Sequence, residues 1–391
     1  MVGRSDALLD PAGPSPDVAI VGGGVVGCSL AYRLAESGLR VTLVERGELG
    51  AQSTGRCAGG VRKQFSSEAN VRIQQLAFEL LRRFPDETGF PCDFRQIGYL
   101  MLLSSQDQAV SFRAQLAMWH RLGVSEARWV GPDEVAEMVP ALRVDDLLGA
   151  TFCPTDGIAS PNDVTQGYAA AARRRGARIE QGVEVTGIKV EGGRVSGLDT
   201  SAGSLSCPLV VVCAGAWSSA LVEPLGFPLP VVPYRRHIFV SEATPAVGPD
   251  TPMTVDVATS FYFHPEGGGA LFGMGEADER PGFELDVDWG ILERMEPVIR
   301  HRIPTLLDAG IRTGWAGLYE VTPDHNPFIG AIPEPEGLWC ACGFSGHGFQ
   351  QAPAVGLALA QMITGDVPAV DLSAFSPSRD PAGGNPEENF I

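Results

Sequence analysis

The chain has 391 residues, more than one simple hydrophobic core supports, and 44% hydrophobic, 19% charged residues with 48 Gly and 30 Pro indicate two interwoven, turn-rich α/β or α+β domains. A net charge of −18 excludes a surface built to attract nucleic acid. No apolar run reaches the ~20 residues that span a bilayer, no signal-peptide core opens the chain, and the eight cysteines form no CxxC pair or His-spaced metal cluster, so the expected setting is cytoplasmic with reduced thiols and no metal.

Residues 1–16 read as a loose, Pro-containing arm. The first ordered element is the short apolar strand 18–21, followed at once by Gly22-Gly23-Gly24-Val25-Val26-Gly27 and a helix over 28–37 that Gly38 ends. A β-rich strand over 40–45 finishes in Glu45, so the unit has the length of a βαβ fold. In that setting Gly22 makes the tight turn, Gly24 lets the backbone approach a pyrophosphate, and Gly27 allows close packing of the helix. The pyrophosphate rests on the unpaired N–H groups and positive dipole of the helix N-terminus. Glu45, eighteen residues past Gly27, is placed to accept hydrogen bonds from both ribose hydroxyls and disfavours a 2′-phosphate.

Farther along, apolar residues recur at helical spacing over 67–83 and 106–122, with a strand over 97–103 between them. A helix over 162–175 starts at Ser160-Pro161 and ends at Gly176. Short strands with a Gly192-Gly193 turn make a hairpin within 178–199, and a buried strand over 209–213 runs into Ala214-Gly215-Ala216-Trp217. Residues 227–320 alternate apolar and polar with Gly and Pro between, as an antiparallel sheet does. The chain then returns to strand (338–341), Gly-rich turn (343–348) and helix (352–364), and its last fifteen residues read as disordered. Cys340 and Cys342, two apart, share one face of their strand.

Four blocks give the chain a resemblance to the glycine oxidase and sarcosine oxidase family of FAD-dependent amine oxidoreductases, within the D-amino-acid oxidase superfamily. They are VAIVGGGVVGCSLAYRLAESGLRVTLVER, STGRCAGGVRKQ, WAGLYEVTPDHNPFIG and GFSGHGFQQAPAVGLALA. The resemblance implies an α/β fold plus antiparallel β: a discontinuous, Rossmann-type FAD-binding domain (17–95, 150–226 and 323–372) with an inserted, mainly antiparallel substrate domain (96–149 and 227–322). Flexible tails are expected at 1–16 and 377–391. By position it gives Gly22, Gly24, Gly27, Glu45 and Arg46 to the ADP half and Val185 to the adenine. Ser53, Thr54, Gly59, Gly60 and Val61 line the flavin, Ala214 and Gly215 the pyrophosphate side, and Gly346, His347, Gly348, Phe349 and Gln350 the pyrimidine end.

Departures from the family pattern are informative. Members with covalent flavin carry a Cys where this chain has Gly317, so the FAD is expected to be non-covalent. A carboxylate-holding Lys of monomeric sarcosine oxidases is matched by the neutral Gln350, and their oxygen-activating Lys by Leu271, so fast reaction with O2 is not expected.

A substrate carboxylate requires a cation or several donors once buried. Arg62, beside the flavin-lining block, is the first choice, with an internal ion pair as its other reading; Arg235, Arg236, His237, Tyr262 and His264 also compete. Tyr319 and His347 are further site residues by resemblance, each equally readable as structural, and His264 as a strand-end surface residue. Phe261, Phe263 and Phe272 either accept an apolar tail or form core. Asp324-His325-Asn326 reads as turn chemistry.

The leading expectation is oxidation of the C–N bond of an N-substituted glycine or other secondary amino acid by hydride transfer to FAD, giving an imine that hydrolyses, with O2 or another acceptor taking the electrons. A cyclic imino-acid dehydrogenase of the proline or hydroxyproline type and an FAD-holding assembly protein without turnover are the alternatives.

Overall fold

The computed structural model describes residues 15–276, 278–383 and 386–389. Strand β1 (Val18–Val21) is buried along its whole length, as a mostly β-branched strand in the middle of a parallel sheet must be. Helix α1 (Val25–Glu36) begins three residues earlier than its apolar spacing suggests, because Gly24 is already its extended N-cap. Strand β2 (Val41–Glu45) pairs in parallel with β1, completing the βαβ unit.

The first sheet has six strands in the order Phe328–Ala331, Leu338–Cys342, Val210–Val212, β1, β2 and Arg178–Gln181. All neighbours are parallel except the antiparallel edge pair Phe328–Ala331 with Leu338–Cys342. One face is covered by α1, α2 (Glu68–Thr88), Pro161–Arg174 and Gly348–Thr364, whose apolar sides form one core with Ile20 and Leu43. The other face carries the three-stranded antiparallel sheet Val185–Glu191, Arg194–Thr200 and Gly203–Ser206, which supplies Val195 and Leu198 to a second core. Helix α2 runs five residues beyond its expected end at 83 and stops at Gly89, in the left-handed region at φ 73°.

The inserted segments build an eight-stranded sheet in the order Ile311–Val321, Val232–Ser241, Gly269–Gly273, Phe261–Glu266, Met253–Asp256, Tyr99–Leu103, Gly149–Cys153 and Arg128–Val130. Its pairs are antiparallel apart from Met253–Asp256 with Tyr99–Leu103, which are parallel. The strand Gly149–Cys153 lies in this sheet and not, as the expected boundary at 150 put it, with the dinucleotide-binding segments; its backbone bonds are made to both of its neighbours there. Phe261, Phe263 and Phe272 are core side chains of this sheet, packed with Phe239 and Ile299.

The expected C-terminal tail is corrected at 386–389. Glu387 accepts hydrogen bonds from the Ser66 and Ser67 backbones and from Asn70 Nδ2, and Asn389 Nδ2 donates to Gln64 O and Gln115 Oε1. A buried carboxylate with that many donors is ordered by them. The polar composition of this segment gave no sign of them, because every partner is remote in sequence.

Arg302 is buried and bonds Asp256 at 2.8 Å and Asp146 at 2.8 and 2.9 Å, joining the helix Ile291–Arg302 to the strand edge beneath it. Removing it strands the buried Asp256 charge, and Arg302→Leu is expected to cost about 3–5 kcal/mol, read as a lower urea midpoint. Burial raises the Asp146 carboxyl, but hydrogen bonds from Arg302 and His301 hold it down at about 2. A depressed folded pKa stabilises above the ordinary value of 3.8 and is lost as pH falls through about 2. The wild-type advantage over Arg302→Leu is therefore expected to shrink in that acid window, and an advantage independent of pH would contradict the assignment.

Candidate active site

The β1–α1 turn is built on Gly22, Gly24 and Gly27, of which Gly22 and Gly27 are in contact. Gly22 has φ 109°, and a Cβ on it would stand 2.4 Å from Cys213 O; one on Gly27 would stand 2.0 Å from Gly22 O. Gly24 instead faces open space, with only Thr54 Oγ1 near, at 3.3 Å from a Cβ. No side chain caps α1 and its first turn holds no acid, so its leading amides are left for an anion, apart from Val25 N, which donates to Thr54 Oγ1 at 3.2 Å.

These amides open onto a cavity of about 260 Å³. Gly22, Gly24, Glu45, Arg46, Ser53, Thr54, Val185, Ala214 and Gly215 all line it. Glu45 is held by its own turn: Oε2 accepts from Gly23 N at 2.7 Å and Oε1 from Gly47 N at 2.8 Å. Arg46 lies 3.9 Å over the Trp217 ring, a cation on an aromatic face beside the cavity wall. The glycine cradle, the uncapped helix and an acid at the end of β2 fit the pyrophosphate and ribose of FAD.

A second, smaller cavity follows directly, because the same chain segments pass from one to the other. Residues 50–54 line the first and 57–60 the second; Glu320 and Phe344 line the first, and Tyr319 and Ser345 the second. Gly59, Gly60, Arg62, Tyr262, Tyr319, Gly346, His347, Phe349 and Gln350 meet there, joined by Tyr99, Met253 and Cys57, which the sequence reading missed. Met253 and Tyr99 face each other across the parallel pair of strands, a register no local pattern reveals. Val61 is fully buried beside this cavity and not on its wall; Gly348 abuts the Phe344 ring.

Arg62 is 2% exposed and no carboxylate among the described residues pairs with it. In place of the alternative reading, an internal ion pair, carbonyls hold the side chain: Arg62 donates to Gln64 O and, at 2.5 Å, to Asn389 O, while its backbone N–H is held by Gln350 Oε1 at 2.8 Å. The guanidinium thus brings an uncompensated positive charge to the cavity. Its NH2 also meets His347 Nε2 at 3.3 Å. Arg can only donate, so Nε2 accepts and the imidazole proton sits on Nδ1, which has no hydrogen-bond partner among the described residues. Burial first, and then the Arg62 charge, holds His347 well below the usual histidine range, so the ring is neutral. Burial pushes the Tyr99 hydroxyl up to about 12 and the Cys57 thiol up to about 11, and raises Tyr262 and Tyr319 as well. The cavity therefore offers one fixed cation, three neutral phenols and a neutral imidazole.

Other expected site residues lie elsewhere. His264 is buried, its Nε2 meeting Ala58 O at 2.9 Å and its Nδ1 Pro265 O at 3.0 Å, so it buttresses the 57–60 loop from outside the cavity and is no surface residue. His237 pairs with Glu276 at 2.8 Å and Arg235 with Glu279 at 3.2 Å, both away from the cavity. Arg236 stands behind Tyr319, 5.4 Å from its ring. Asp324 is bonded by Arg379 at 2.9 and 3.0 Å and by the Asn326 backbone, as turn chemistry requires. The eight cysteines are free thiols.

Comparison with known proteins agrees with this geometry. Residues 17–362 match the family described as DAO, FAD dependent oxidoreductase. Human mitochondrial sarcosine dehydrogenase is 30% identical over 95% of this chain, which spans only 42% of that protein's length. Glycine oxidase of Geobacillus kaustophilus is 29% identical over 93% of this chain and 97% of its own. The crystal structure of L-proline dehydrogenase from P. horikoshii superposes with a TM-score of 0.88 at 32% identity, covering 95% of this chain and 99% of that one. The G. kaustophilus glycine oxidase structure gives 0.83 at 28% identity, covering 93% and 99%. Among the described residues no helix is long and apolar enough to cross a membrane.

Because a Cβ at position 27 would overlap Gly22 O, Gly27→Ala is expected to weaken FAD binding at least tenfold, about 1.4 kcal/mol or more. Equilibrium titration of the apoprotein with FAD measures this; unchanged affinity would show that the turn does not cradle the cofactor.

Proposed function

This chain belongs to the DAO family of FAD dependent oxidoreductases, and we propose that it oxidises the CH–NH bond of an N-substituted glycine or other secondary amino acid. The observation that carries the reading is the cavity at the cofactor site whose only charged wall residue among the described residues is the buried Arg62. An uncompensated guanidinium in a desolvated wall suits a small carboxylate, for which a charge-assisted fork is the strongest available partner. The three tyrosine hydroxyls add neutral donors and acceptors that fix the orientation of the rest of the molecule.

FAD supplies the hydride acceptor, and the protein supplies binding, orientation and exclusion of water. Arg62 holds the carboxylate, while the neutral His347 presents its Nδ1–H without adding charge. Such a pocket disfavours a second positive charge, so the substrate ammonium gives up its proton on entry and the nitrogen lone pair becomes available. The imine product hydrolyses once released to water.

Gly317 supports a dissociable cofactor. A side chain there would meet Arg56 Cβ at 2.9 Å, so a cysteine anchor has no room. Denaturation in acid is expected to release all of the flavin, and a protein mass that retains it would overturn this. For the electron acceptor, a dehydrogenase reading is favoured by Leu271, which is buried and uncharged on the strand Gly269–Gly273.

Anaerobic addition of sarcosine, N-alkyl glycines, proline or hydroxyproline is expected to bleach the flavin absorbance, with slow recovery in air. Arg62→Met is expected to raise the substrate dissociation constant about 10- to 100-fold, the worth of a charged hydrogen bond. Flavin that no amino acid of this class reduces would sink the proposal, as would an Arg62→Met protein with unaltered affinity.

A further inference from the structure

Glu320 is a carboxylate that neither the sequence nor the proposed reaction uses. It follows Tyr319 on the strand Ile311–Val321, and successive side chains of a strand point to opposite faces. Tyr319 therefore lines the second cavity and Glu320 the first, at the end where the two adjoin. Its Oε2 accepts from Gly343 N at 3.1 Å, which fixes it against the loop that enters Gly348–Thr364. A Cβ on Gly215 would stand 3.4 Å from Oε2, so the carboxylate closes over the turn following Val210–Val212.

We propose that Glu320 is the group that takes up a proton from solvent when the bound flavin is reduced. This rests on the reading that the first cavity holds FAD. FAD held in the first cavity would take the electron pair and one proton of the breaking substrate C–H bond as a hydride, and so would gain one negative charge. Glu320, on the wall of that cavity, would then gain a proton from water, forming an O–H bond, and return it to water when an acceptor removes the two electrons. The extra negative charge of the reduced ring favours the protonated acid, so flavin and carboxyl are linked. Burial pushes Glu320 up to about 7, against backbone N–H groups that lower it, which places the linkage in the working range.

The groups that face it do not replace this role. Cys213, at the end of Val210–Val212, has its thiol pushed well up by burial, and Cys342 stands on the neighbouring strand. Pro233 is its register partner on Val232–Ser241, and Tyr319 flanks it in sequence with a raised hydroxyl. Glu45, Arg46, Glu48 and Glu184 are the other charged residues of the cavity wall among the described residues.

The test is the midpoint potential of the FAD-bound protein against pH, followed by the flavin spectrum in the presence of redox dyes. Between pH 7.5 and 8.5 the slope for wild type is expected to correspond to close to two protons per two electrons, and that for Glu320→Gln to close to one. Equal slopes in the two proteins would overturn the proposal, as would a wild-type slope of one proton across that range. If Glu320→Gln fails to hold FAD, Glu320→Asp serves: it is expected to keep the extra proton with a displaced pH midpoint, and loss of the proton in that variant would count against Glu320. Wild type that binds no FAD overturns the cofactor reading itself, whereas a yellow wild type with a one-proton slope overturns only the role of Glu320.

Discussion

The contact on which the rest of the structure depends is backbone against backbone at the β1–α1 turn. Gly27 lies against Gly22 O, and Gly22 against Cys213 O, at distances that admit no side chain. Close packing there brings the start of a helix to the carboxyl ends of two parallel strands and leaves its leading amides uncapped. A helix terminus so placed would be an unsatisfied polar end in an empty fold, and it becomes stable by taking an anion. The position of that anion sets where the remaining parts of the cofactor, and hence the second cavity, lie.

The strand Ile311–Val321 carries the connection between the two cavities. Its alternation sends Tyr319 to one and Glu320 to the other, and Gly317 leaves room for Cβ of Arg56. Three roles thus sit within four residues of one strand, and each is set by which face a side chain occupies. The rigidity of a long antiparallel pairing with Val232–Ser241 keeps them in register.

Among the described residues no carboxylate pairs with Arg62, and this governs the charge at the second cavity. Carbonyl oxygens orient the guanidinium without neutralising it, and one of them belongs to Asn389, at the far end of the chain. Glu387 anchors that segment to the N-terminal turn of α2. The cation is therefore positioned by the C-terminal segment while its charge remains for a ligand, and it in turn fixes the tautomer of His347.

The order of strand, Gly-rich turn, helix, strand and acid was legible in the sequence because each piece has a local physical cause: burial selects β-branched residues, a tight turn selects glycine, and helical spacing leaves an apolar stripe. That sufficed for the cofactor half of the site, whose residues from Gly22 to Glu45 are close neighbours along the chain. For the second cavity, Arg62, Tyr319 and His347 were read from the resemblance and Tyr262 and His264 as further candidate donors; all but His264 meet there. A histidine on a strand cannot declare which face of the sheet, or which loop, will receive it, and its partner Ala58 is remote in sequence. Tyr99, Met253 and Asn389 were invisible for the same reason: they reach the site only through a strand register and a chain return fixed by global packing. Local pattern determined which elements form; only the tertiary structure decided which side chains meet, because meeting depends on contacts between segments that carry no record of one another.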